Sequence, residues 1–126
     1  MRVIQRAIED GIYSVQATLT LLDEGACVYL FGGQTHIGAV VLALPRESLR
    51  RDGSISCTSS VLNVLGHQDE LVARPCAERL CRESGQPVTV TAGLHLERAS
   101  AQEIERLRAN AEALTQLLSE AWATER

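Results

Sequence analysis

Three histidines are this chain's clearest candidates for chemistry, and each stands beside glycine: Gly32-Gly33-Gln34-Thr35-His36-Ile37-Gly38, Gly66-His67 and Gly93-Leu94-His95. Imidazole supplies hydrogen bonds, a titratable proton or a metal bond near neutral pH. Glycine lets the backbone turn sharply or come close to a ligand. A rim that gathered these segments would form a ligand pocket. Gly32, Gly33 and Gly38, with the hydroxyls of Ser56-Cys57-Thr58-Ser59-Ser60, would bring donors to an anionic or heteroaromatic ligand.

Other chemistries fit less well. His36, His67 and His95 could hold zinc with an open position. Their wide separation in the chain, however, is unlike the short spacing of a metal motif. Cys57, Thr58, Ser59 and Ser60 are potential nucleophiles, but no G-x-S-x-G elbow is present and strand alternation sends successive side chains to opposite faces. Gly66-His67 at a helix start offers amides to a phosphate. Asp69 and Glu70 would compete for the same positive potential. Cys27, Cys57, Cys76 and Cys81 make no C-x-x-C pair and read as free, buried thiols.

The elements that must position these groups show in the periodicity. Tyr13 to Leu21 alternates as a half-buried antiparallel strand, and Asp23-Glu24-Gly25 turns into a second strand, Ala26 to Phe31. A third, His36 to Leu44, is apolar on both faces, as a central strand would be, and is expected to end at Pro45. Ser54 to Leu65 is a fourth. Gln68 to Ser84 reads as a helix stopped by Gly85, with Pro75 implying a kink or a start near Arg74. A fifth strand, Val88 to Leu94, precedes a second helix. That helix opens on the capping box Ser100-Ala101-Gln102-Glu103 and carries the stripe Ile104, Leu107, Ala111, Leu114 and Leu118.

The fold expected is α+β: two layers, with a mainly antiparallel sheet of about five strands covered by two helices in the order ββββαβα. The four leading strands would form a meander, with the fifth lying parallel to the fourth through a right-handed crossover. That topology puts all three histidines on one edge of the sheet.

At 126 residues the chain reads as one domain, 1–126, with its core at about 13–120. A net charge of −4, with arginine as the sole basic residue type, and few aromatics argue against nucleic acid. No apolar run is long enough to span a membrane, and residues 1–6 lack a signal peptide's features, so a cytoplasmic location is expected.

Taken in order, His36-Ile37-Gly38-Ala39-Val40, the Ser56–Ser60 run, Gly66-His67 with Asp69-Glu70, and Gly93-Leu94-His95 before a capped helix resemble one small family. It is the prenylated flavin chaperone-like (LpdD-like) domain, named for a component of gallate decarboxylase. The resemblance runs from about Tyr13 to Ile104, leaving Met1 to Asp10 without a counterpart. It implies a non-catalytic protein that binds prenylated flavin mononucleotide (FMN). Such a protein would support delivery to, or maturation of, a UbiD-type aromatic-acid decarboxylase. The candidate cofactor-binding residues are then Gly33, His36, Gly38, Thr58, Ser60, Gly66, His67, Gly93 and His95, with Val40, Leu42 and Val61 as an apolar wall. A homodimer is expected from the small depth of one sheet, with Trp122 and the C-terminal helix as candidate interface elements. The alternatives are a His-coordinated metal-dependent enzyme and a protein-assembly scaffold.

Overall fold

Alternation in the strand Val15–Leu21 sets the two faces of the sheet. Val15, Ala17, Leu19 and Leu21 are buried, while Gln16, Thr18 and Thr20 point the other way. The computed structural model describes residues 1–64 and 69–125. Its elements are β1 (Arg2–Ile8), β2 (Val15–Leu21), β3 (Ala26–Gly32), β4 (Ala39–Glu47), β5 (Ile55–Asn63), α1 (Glu70–Ser84), β6 (Val88–Leu94) and α2 (Ala101–Glu125). A 3-10 turn, Gly11–Tyr13, links β1 to β2.

All six strands join one sheet in the order β1-β2-β3-β6-β4-β5. This is the expected two-layer α+β class with two corrections. The first is β1, which the sequence reading left without a role. Only Ile4 of β1 is buried, so its apolar pattern is faint, and Arg2 and Arg6 guard a sheet edge. The second concerns the meander. β6 enters between β3 and β4, parallel to β3 and antiparallel to β4, instead of pairing beside β5. Residues 33–38 therefore span two strand spacings, about 10 Å, across the end of β6.

Both helices lie on one face. α1 packs on β4, β5 and β6, and α2 on β1, β2 and α1. The core between the layers holds Leu19, Leu30, Val41, Val90, Leu80 and Leu114, each fully buried, and extends to Ile4 and Trp122. Trp122 is 5% exposed and belongs to this interior, which corrects its expected place at an interface. β4 sits second from the sheet edge, not at its centre. Its Leu42 and Leu44 are exposed because, among the described residues, no layer covers the face opposite the helices. β4 also runs past Pro45 to Glu47. Its ladder with β6 ends at the Ala43–Val88 pair, so proline's missing N–H interrupts nothing there.

α1 begins at Glu70, not near Arg74, and runs through the exposed Pro75 to a left-handed Gly85, whose amide closes on the Cys81 carbonyl at 2.8 Å. The α2 capping box forms as read. Ser100 N–H donates to Glu103 Oε1 at 3.0 Å, and Glu103 N–H to Ser100 Oγ at 3.1 Å. Behind it Leu107, Ala111, Leu114 and Leu118 are buried, while Ile104 stays half exposed. Cys76 and Cys81 are buried as expected; Cys57 is half-buried, and Cys27 is exposed on the uncovered face.

Candidate functional site

Three strand ends meet at one rim. β3 and β6 run parallel and finish together at the Gly32–Leu94 pair, and β4 starts beside them at the Ala39–Ala92 pair. The 33–38 segment crosses over the end of β6 and is tied down on both sides. His95 N–H donates to the Gly32 carbonyl at 3.0 Å, Gly38 N–H to the Ala92 carbonyl at 2.8 Å, and the Tyr29 hydroxyl to the His36 carbonyl at 3.1 Å.

Two glycines allow this crossing. A Cβ on Gly93 would fall on the His36 carbonyl, and one on Gly38 would fall on the Asp69 carboxylate. Chain and carboxylate occupy the space that side chains would otherwise fill. Gly33 lies at the same place, against the His95 main chain.

Asp69 is the group that the sequence reading missed. It was assigned to the first turn of a helix, where any carboxylate suits the dipole. In the fold its carboxylate makes no cap bond to its own helix. Asp69 is 7% exposed, and its Oδ1 accepts the Leu94 N–H of β6 at 2.9 Å. Its Oδ2 lies 3.6 Å from His36 Nε2. On the other side of that ring, Nδ1 lies 2.9 Å from the Gln34 carbonyl. A carbonyl only accepts, so Nδ1 carries the hydrogen and Nε2 is turned to the carboxylate. The His95 ring stands edge-on to His36, 6.2 Å between centroids.

Thus Gly33, His36, Gly38, Gly93 and His95 converge, as the topology argument required, although through a different strand order. Gly66 and His67 lie outside the described residues. Thr58 and Ser60 are not brought in. They face the uncovered side of β5, opposite Leu44 and Leu42, roughly 17 and 10 Å along the strand from the rim pair at Asn63. The expected wall is also split, since Val61 pairs with buried Val41 on the helix side while Val40 and Leu42 face outward.

The apolar surface near the rim comes instead from the helices. A cavity of about 250 Å³ opens beside Asp69 and His95, walled by Val72, Leu94, Ile104 and Leu107. A second hollow of about 390 Å³ runs on between α1 and α2, shares Leu71, Val72 and Arg108 with the first, and carries Arg74, Arg79 and Arg82. The Ile104–Leu107 half of the α2 stripe was legible as core; that it lines a cavity beside the histidines was not. Among the described residues no group of three His, Cys, Asp or Glu could hold a metal ion, and no helix is long and apolar enough to cross a membrane.

Residues 9–123 match the family described as the prenylated flavin chaperone LpdD-like domain. No curated protein matches the chain. Among solved structures, a chain from a novel chaperone complex for yeast 20S proteasome assembly superposes with a TM-score of 0.61. It is 16% identical, and the match covers 98% of this chain and 96% of that one. That likeness is one of fold.

Proposed function

We propose, from the premise that this chain belongs to the prenylated flavin chaperone LpdD-like family, that it binds prenylated FMN at the histidine rim. It acts there as a chaperone and not as an enzyme, holding the cofactor for a UbiD-type aromatic-acid decarboxylase in the cytoplasm. One observation carries the reading: the apolar cavity beside Asp69 and His95 continues into an arginine-bearing groove.

A flavin nucleotide needs an apolar slot for its ring, hydrogen-bonding groups at the ring edge and positive charge for its phosphate. Val72, Leu94, Ile104 and Leu107 suit the first need, His95 the second, and Arg108 with Arg74 the third. The 250 Å³ cavity alone falls below the roughly 300–1,000 Å³ of a typical cofactor site; with the adjoining groove the space is adequate.

The test is a titration with oxidised and reduced prenylated FMN, followed by absorbance, with plain FMN alongside. Saturable binding is expected. Arg108→Ala should weaken it about tenfold or more, the equivalent of one lost charge-assisted bond of about 1.5–3 kcal/mol. Absence of binding to either redox form would end this reading.

A further inference from the structure

Helices cover one face of the sheet, and among the described residues no element covers the other. We infer that this bare face is where a second copy of the chain docks, sheet against sheet. The inference stands apart from the flavin reading, because it rests on different residues.

The face is nearly free of charge, with Gln, Thr and Ser side chains set around an aromatic and aliphatic middle. Its middle is built by Tyr29, Phe31, Thr89, Thr91, Val40 and Leu42, which the strand pairings place in adjacent rows. The Tyr29 and Phe31 rings stack at 4.9 Å. Toward the β5 edge, Leu42 is 40% exposed, Leu44 47% and Leu62 76%. Among the described strand residues on this face only Arg46, at a corner, is charged, in a chain that is 22% charged overall. Solvated sheet faces normally alternate apolar-in with charged or polar-out. Aromatic and aliphatic side chains with depleted charge mark the centre of protein interfaces.

The area is sufficient. Six strands at about 4.8 Å spacing, each about 20 Å long, make roughly 600 Å² of flat surface before side-chain relief. A standard interface removes about 800 Å² of accessible surface from each partner. The protomer exposes 7530 Å², whereas a monomer of its 13.7 kDa is expected to expose about 6,600 Å². The excess is of the size that one such interface would cover.

Charge selects the occupant. Apart from Arg46 the described strand residues of this face carry no charge, so a basic or acidic partner would find little to pair with here. A second copy meets no like-charge repulsion, and a two-fold axis brings the same threonine and aliphatic rows together. Two such sheets pack about 10 Å apart, closing a four-layer α/β/β/α particle.

Sedimentation velocity over a micromolar concentration series tests this. The wild-type chain should sediment at about twice 13.7 kDa. Leu42→Glu and the edge variant Leu62→Glu, chosen because Leu62 is already open, should raise the dissociation constant by about tenfold or more, since each would bury an unpaired carboxylate in the contact. Ala113→Glu, on the exposed outer side of α2, should leave it unchanged. Maleimide labelling of Cys27 should slow as dimer forms, while melting curves confirm that the variants are folded. A wild-type chain that stays at 13.7 kDa, or that pairs across this face only with a different protein, overturns the inference. So does a dimer broken by Ala113→Glu but not by the two glutamates on the sheet.

Discussion

Replacing Asp69 probes the join between α1, β6 and the histidine segment. Asp69→Ala removes the acceptor for Leu94 N–H, a 2.9 Å bond made by a side chain only 7% exposed. A hydrogen bond to a charged group contributes about 1.5–3 kcal/mol, and leaving a buried amide unpaired costs as much. Unfolding entropy of about 2.1 cal/mol/K per residue gives roughly 0.26 kcal/mol/K for this chain, so a loss of about 2 kcal/mol lowers Tm by about 8 °C. Asp69→Asn keeps a carbonyl oxygen for Leu94 and can present its amide N–H to His36 Nε2, so it should cost less than about 1 kcal/mol. Differential scanning calorimetry at neutral pH reads both variants. Asp69→Ala melting within about 2 °C of wild type would refute the argument. Asn and Ala variants melting together would do so as well, because that would assign the stability to charge near His36 and not to the Leu94 bond.

Further consequences follow from the same geometry. Gly93→Ala puts a methyl on the His36 carbonyl and should cost about 1–3 kcal/mol, read as a Tm loss of several degrees; a neutral substitution would show that the crossing segment yields freely. The Arg106 guanidinium, 2.7 Å from Asp10, and then Asn110 hold the Asp10 carboxyl below its ordinary range. A lowered folded value means stability present above the ordinary carboxylate value of about 4 and lost as pH falls through the folded one. The stability gap between wild type and Asp10→Asn should therefore be constant near neutrality and close in acid, which chemical denaturation at a series of pH values will show; a gap that widens in acid contradicts the pairing. Burial pushes the Cys76 and Cys81 thiols up to about 11. In dilute native protein a disulfide reagent should modify Cys27 first and Cys76 and Cys81 only on unfolding. Mass mapping that finds Cys81 modified as fast as Cys27 would contradict that burial.

The amino-acid sequence by itself determined whatever depends on near neighbours. The strict alternation of β2 and the 3-4 stripe of α2 state which side is wet, because side-chain direction repeats with period 2 in a strand and 3.6 in a helix. The Ser100/Glu103 box and Gly85 state where helices start and stop, because capping satisfies amides and carbonyls within a few residues. The three glycine–histidine segments were legible as candidates for chemistry for the same reason. Edge strand β1 was hidden, since a strand with one buried residue has almost no alternation to read. Only the tertiary structure decided that β6 enters between β3 and β4, because periodicity says that a strand exists and not which strand it pairs with. That insertion brings His95 to His36 and moves Asp69 from helix cap to β6 partner, while Thr58 and Ser60 stay off the rim on the uncovered face of β5. Convergence of groups far apart in the chain is a property of long-range pairing, and the free energy that selects the pairing is spread over the whole buried core.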